Sequence, residues 1–119
     1  MIENRKSFIV GLKSLKLTNN EKSFLKAHKP WGIILFSRNI KSIKQTKTLT
    51  DNIKKIFKDN NYPILIDQEG GRVNRLKDII SFDNLTSEFF GNLYEKEKMK
   101  FDIIYKLFVD KTCHLLKLI

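Results

Sequence analysis

At 119 residues, 41% hydrophobic and 30% charged, the chain has a globular composition and the length of at most one small domain, residues 1–119, which excludes a complete large enzyme. Its net charge of +10 invites an acidic partner, yet the lysines scatter from Lys6 to Lys117 without a stripe or an aromatic interleave. No nucleic acid is therefore expected, and a small basic α/β module for nucleic acid or another acidic polymer stands only as the alternative.

No apolar run reaches the roughly 18 residues of a membrane span, and the start "MIENRKSFIVGLKSLKL" has only a short apolar patch before Lys13 and Lys16, so neither a span nor a signal peptide is expected. The single Cys113 has no disulfide partner within the chain, which suits a cytoplasmic location and a buried, inert thiol.

In chain order, "SFIVGL", Ser7 to Leu12, predicts a short strand. "LTNNEKSFLKAHKP" then carries a helix start: Thr18 or Asn19 accepts from free amides, Glu21 reaches back, and Pro30 stops the helix. "WGIILFS", Trp31 to Ser37, is apolar without alternation, as in a strand buried on both faces. From Ser42 to Lys58 the residues Ile43, Leu49, Ile53, Ile56 and Phe57 recur at helical spacing with lysines opposite them. "KDNNYP" breaks that helix, and "ILI", Ile64 to Ile66, is again of strand type. Two apolar strands joined by an amphipathic helix must be parallel neighbours in a right-handed βαβ unit, so the class is α/β. "KDIISFDNLTSEFFGNLYEKEK" is expected to be loop-like, with Gly91 interrupting a short apolar turn. A long helix is expected next, from about Glu95 to Leu118, with Phe101, Ile104, Leu107, Phe108, Leu115 and Leu116 on its inner side.

Ligands of parallel sheets sit at the carboxyl ends of the strands. In "ILIDQEGGRVNRL", Asp67 is the first residue there, Gly70 and Gly71 allow positive φ and close approach of a ligand, and Arg72 and Arg75 offer planar multiple donors. Carboxylate and guanidinium together suit sugar hydroxyls. Asp67 is expected to meet ligand, whereas Glu69 and Arg72 are expected to pair and lock the loop. The "DQEG" element also fits a magnesium nucleotide hydrolase, but no G-x-x-x-x-G-K-[ST] phosphate loop precedes it, with only Gly11 and Gly32 upstream. His28 and His114 lie far apart and no residues stand at metal-ligand spacing, so no metal or other cofactor is expected.

"PWGIILFSRNI" (Pro30 to Ile40), followed by a helix and "PILIDQEGGRVNRL" (Pro63 to Leu76), resembles the amino-terminal part of glycoside hydrolase family 3 in its bacterial β-N-acetylglucosaminidase branch, and "FFGNLY" resembles the segment before that family's second barrel helix. The resemblance implies a (β/α)₈ barrel and retaining removal of terminal β-linked N-acetylglucosamine, typically from muropeptides in cytoplasmic peptidoglycan recycling. In that reaction a carboxylate attacks the anomeric carbon, an acid protonates the leaving oxygen, and water later releases the glycosyl enzyme. The implied acid/base is a His in a K-H-F-P-G-H-G-type loop and the nucleophile an Asp on a later strand. Neither is found in this sequence, so no catalytic residue is assigned.

Two positions do carry over as substrate-binding residues: Asp67, which by its place in the motif would hold hydroxyls of the terminal sugar, and Arg75, its partner. Arg38 and Asn39 would face the same barrel mouth, either touching ligand or bracing loops. A closed barrel takes about 200 or more residues. The implied fold here is therefore an incomplete (β/α)₈ TIM barrel, its first βαβα portion only, in a fragment of a longer enzyme. Ile33, Leu35, Leu65, Ile66 and the final helix are expected to lack partners on their inner faces.

Overall fold

A computed structural model describes residues 4–119. Its elements are β1 (Lys6–Gly11), α1 (Asn19–His28), β2 (Pro30–Leu35), a single 3₁₀ turn (Ser37–Asn39), α2 (Ile43–Phe57), β3 (Ile64–Ile66), α3 (Ser87–Lys96) and α4 (Lys98–Lys117). The expected strand–helix–strand order is present, and a third strand extends it, since β1 also pairs parallel to β2.

The two crossover helices begin where their sequences direct. Thr18 accepts from the Glu21 amide at 3.1 Å while the Glu21 carboxylate accepts from the Thr18 amide at 2.8 Å, so two otherwise orphaned donors of α1 are satisfied reciprocally. Ser42 accepts from Gln45 in the same way at the start of α2. Both helices end on a lysine in the left-handed region, Lys29 at φ 46° and Lys58 at φ 50°, and the chain turns directly toward the next strand.

The sheet runs β1-β2-β3, all parallel, with Ile9 beside Gly32, Gly11 beside Ile34, and Ile34 beside Leu65. The crossovers α1 and α2 touch one another and so cover the same face. Because parallel crossovers are right-handed, an order that advances steadily in one direction places successive helices on one side. Beneath them lies the core: Leu12 after β1, Leu25 of α1, Ile33 and Leu35 of β2, and Leu49 and Ile53 of α2 are all nearly inaccessible. Ile33 and Leu35 were expected to lack partners and are instead the centre of this core, because alternation along β2 turns them to the helix side.

Among the described residues the opposite face is largely uncovered. Ile9 is 46% exposed, and Ile34 and Leu65 are only half-buried. A strand apolar on both sides is thus covered on one side only.

The opposite end of the sheet from the strand exits is closed by Tyr62, which stacks on Phe57 with ring centroids 3.9 Å apart and donates its hydroxyl to the Pro30 carbonyl at 2.8 Å. Burial pushes this phenol up to about 12, against the pull of the Arg5 guanidinium that lies over the ring and pairs with Asp59. It remains a donor at neutral pH.

The segment expected to be loop-like contains α3. Thr86 caps it by accepting from the Phe89 amide at 3.0 Å, and Phe90 packs edge-on against Phe101 and Tyr105 of α4. α4 agrees with the expected long helix, but Leu107, placed on its inner side, is 63% exposed. Cys113, expected to be buried, is exposed. The far end of α4 returns to the core through Leu115, and the Ile119 carbonyl accepts from Thr50 of α2 at 3.1 Å, so the last turn is partnered rather than bare.

Candidate functional site

β3 is three residues long and ends at Ile66, so Asp67 is the first side chain to leave the sheet at its carboxyl edge. The chain then folds back on itself. Gly70 and Val73 form an isolated antiparallel bridge, and eight residues beyond Asp67 the Arg75 guanidinium donates to the Asp67 carboxylate at 3.1 Å. The two residues singled out from the sequence therefore meet. The Asp67 side chain is 44% exposed and that of Arg75 24%, so both remain partly accessible.

Arg75 is built in from several sides. Its guanidinium lies 5.4 Å from the ring centroid of Phe36, which also carries the Arg38 guanidinium at 4.6 Å. Its Nε is buried with no hydrogen-bond partner among the described residues. Its backbone amide donates to the Gln68 side-chain oxygen at 2.8 Å.

Arg38 and Asn39 are braces. Asn39 is fully buried; its amide donates to the carbonyls of Leu12 at 3.1 Å and Ser14 at 2.9 Å, and its oxygen accepts from the Phe36 amide at 2.9 Å. Arg38 donates Nε to the same Leu12 carbonyl at 2.7 Å. Both tie the exit of β2 to the exit of β1, which seats Phe36 under Arg75.

Glu69 and Arg72 do not pair. Both are exposed, and no ion pair joins them among the described residues; the loop is locked instead by backbone bonds from the Glu69 and Gly70 amides to the Val73 carbonyl. Gly70 and Gly71 do take positive φ, 93° and 55°. The close approach they permit is to the chain itself: a Cβ at Gly70 would lie 2.6 Å from the Leu85 carbonyl oxygen, and one at Gly71 would lie 2.9 Å from the Thr86 methyl. These glycines seat the loop on the start of α3.

Sequence reasoning missed Gln68 and Asn74. Gln68 accepts from the amides of Arg75 and Leu76 and donates to Asn74 at 3.1 Å, and Asn74, 5% exposed, donates to the Ile80 carbonyl at 3.0 Å. Two neutral amides in a polar stretch give no periodic or charge signal, so nothing local marks them.

A cavity of about 880 Å³ lies at the opposite end of the sheet among Arg5, Lys26, Lys29, Trp31 and Lys58, and includes neither Asp67 nor Arg75. His28 lies against Phe24 with the two rings tilted by 39° while His114 lies on α4, and among the described residues no group of three His, Cys, Asp or Glu side chains is placed to hold a metal.

No family model matches the chain. Among curated proteins it is similar to the β-hexosaminidase of Psychromonas ingrahamii, 39% identical over 92 residues, or 77% of this chain and 26% of that protein. It is also similar to the β-hexosaminidase of Alkalilimnicola ehrlichii, 40% identical over 59% of this chain and 20% of that one. The chain spans about a quarter of the length of the curated relatives it matches. Among solved structures, NagZ from Neisseria gonorrhoeae in complex with zinc ion superposes with a TM-score of 0.64 at 33% identity, over 78% of this chain and 27% of that one. The same protein in complex with N-trifluoroacetyl-D-glucosamine gives 0.63 at 33% identity. With both sequence and backbone shared over three quarters of its length, the chain is related to the bacterial β-hexosaminidases, NagZ among them, and corresponds to a portion of one.

Proposed function

We propose that this chain supplies the sugar-gripping edge of a β-N-acetylhexosaminidase. In this reading Asp67 accepts hydrogen bonds from hydroxyls of a non-reducing terminal N-acetylglucosamine, and Arg75 donates to the same sugar while holding the Asp67 carboxylate in place. The observation that carries it is the Asp67–Arg75 pair itself, partly exposed at the carboxyl edge of β3. A charged acceptor and a planar donor set side by side match vicinal hydroxyls, which both donate and accept. The neighbouring NagZ solved with N-trifluoroacetyl-D-glucosamine favours the same sugar class.

The whole reaction is retaining hydrolysis of muropeptide-derived saccharides in the cytoplasm, with the acid/base and the nucleophile contributed from outside these residues. The fold belongs to a (β/α)₈ barrel. A parallel sheet wound in one direction has helices on one face only, and its bare face, here Ile9, Ile34 and Leu65, is covered when further strands close the sheet upon itself.

The test is a titration of the ¹⁵N-labelled chain with N-acetylglucosamine. Amide shifts are expected at Asp67 to Leu76, and Asp67→Asn should weaken binding by about tenfold or more, the loss of a hydrogen bond to a charged group. Unchanged affinity in Asp67→Asn, or shifts confined to the lysine-lined cavity, would overturn the assignment. The chain alone is expected not to cleave a chromogenic β-N-acetylglucosaminide.

A further inference from the structure

We infer that Gln68 is the positioning residue of this site, the group that sets the spacing between Asp67 and Arg75; the inference rests on the sugar-binding reading of that pair. Arg75 follows Asp67 by eight residues, across a loop that contains two glycines at positive φ. A loop of that kind has many ways to close, and a guanidinium at its far end is useful only if one of them is chosen. Coulombic attraction does not choose, since a partly exposed ion pair is worth about 1 kcal/mol or less and tolerates many geometries.

Gln68 does choose. It is covalently next to Asp67, and its side-chain oxygen accepts from the amide of Arg75 at 2.8 Å and from that of Leu76 at 3.2 Å, using both lone pairs. Its amide nitrogen donates to Asn74, which is buried and anchored to the Ile80 carbonyl. Leu76 is fully buried in the core. The main chain at Arg75 is therefore held on one side by packing and on the other by a side chain attached to the residue beside Asp67. Phe36 then limits where the guanidinium can go. Gln68 need touch no sugar; it acts through Arg75.

The experiment compares Gln68→Met, which keeps length and removes both acceptor and donor, with Gln68→Glu, which keeps the acceptor for both amides. Binding of N-acetylglucosamine and exchange of the Arg75 and Leu76 amides are read on the ¹⁵N-labelled full chain, with far-UV circular dichroism confirming that both variants fold. Gln68→Met is expected to speed exchange at the Arg75 amide, the Leu76 amide keeping the Asn74 oxygen as acceptor at 3.2 Å, and to weaken binding about tenfold, whereas Gln68→Glu restores affinity to within about threefold. If the starting chain binds the sugar and Gln68→Met binds equally well, the positioning role is overturned while the sugar reading stands. If the starting chain shows no binding, the sugar reading fails, and exchange of the Arg75 amide decides the rest: slow exchange persisting there in Gln68→Met overturns the positioning role, and acceleration rescued by Gln68→Glu supports it.

Discussion

Gly70→Ala is expected to destabilise the chain by at least about 3 kcal/mol and to abolish the Asp67–Arg75 contact, measured as a lower urea midpoint and as loss of N-acetylglucosamine binding. Two costs add. At φ 93° the backbone lies where an L side chain is strained by about 1–3 kcal/mol. The new methyl would also stand 2.6 Å from the Leu85 carbonyl oxygen, a main-chain atom that yields only if residues 82–86 move. They are not free to do so, because Gly71 donates to the Phe82 carbonyl at 2.9 Å and Thr86 caps α3. Gly91→Ala is the control. Nothing lies within 4 Å of its Cβ position inside α3, so alanine there should stabilise by about 0.5–1 kcal/mol through helix propensity alone. Equal and small effects at the two glycines would show that residues 82–86 do not pack on the exit loop.

Asn39→Ala should cost about 3 kcal/mol, read by the same denaturation. Of its three hydrogen bonds one is buried and two are partly buried, and truncation leaves the Phe36 amide and the Ser14 carbonyl without their partner, at about 1–3 kcal/mol for each such group. Leu12 is spared, since Arg38 still donates to its carbonyl. Against the roughly 5–15 kcal/mol of a typical domain this is a large fraction. The loss should reach the site as well, because Asn39 seats Phe36 and Phe36 lies beneath Arg75. An Asn39→Ala chain as stable as the parent would mean that backbone pairing and the Arg38 contact with Leu12 suffice to hold the exits of β1 and β2 together.

Most of the elements were legible because their signals are local. Thr18 with Glu21, the spaced apolar residues of α2, and the stop of "ILI" at Asp67 each declare themselves within a few residues. α3 did not, and the reason is physical: its ten residues hold a glycine in mid-helix, and much of what keeps them helical is the packing of Phe90 against aromatic side chains of α4, contacts that no short window contains. The cue that was present, Thr86 ahead of Ser87 and Glu88, is a cap followed by an acid in the first turn. The pairing of Asp67 with Arg75 came from family resemblance, because a separation of eight residues across a loop has no periodic meaning.

What the sequence determined by itself was the parallel βαβ order and the polar exit from β3, since chirality and the missing partners of a buried apolar strand leave few alternatives. Only the tertiary structure decided which face of that sheet stays bare, that Ile33 and Leu35 belong to the covered one, and that the two glycines serve the chain's own packing against Leu85 and Thr86. Each of those outcomes depends on where distant segments land, and a side chain's direction along a strand becomes a burial only when something arrives to cover it.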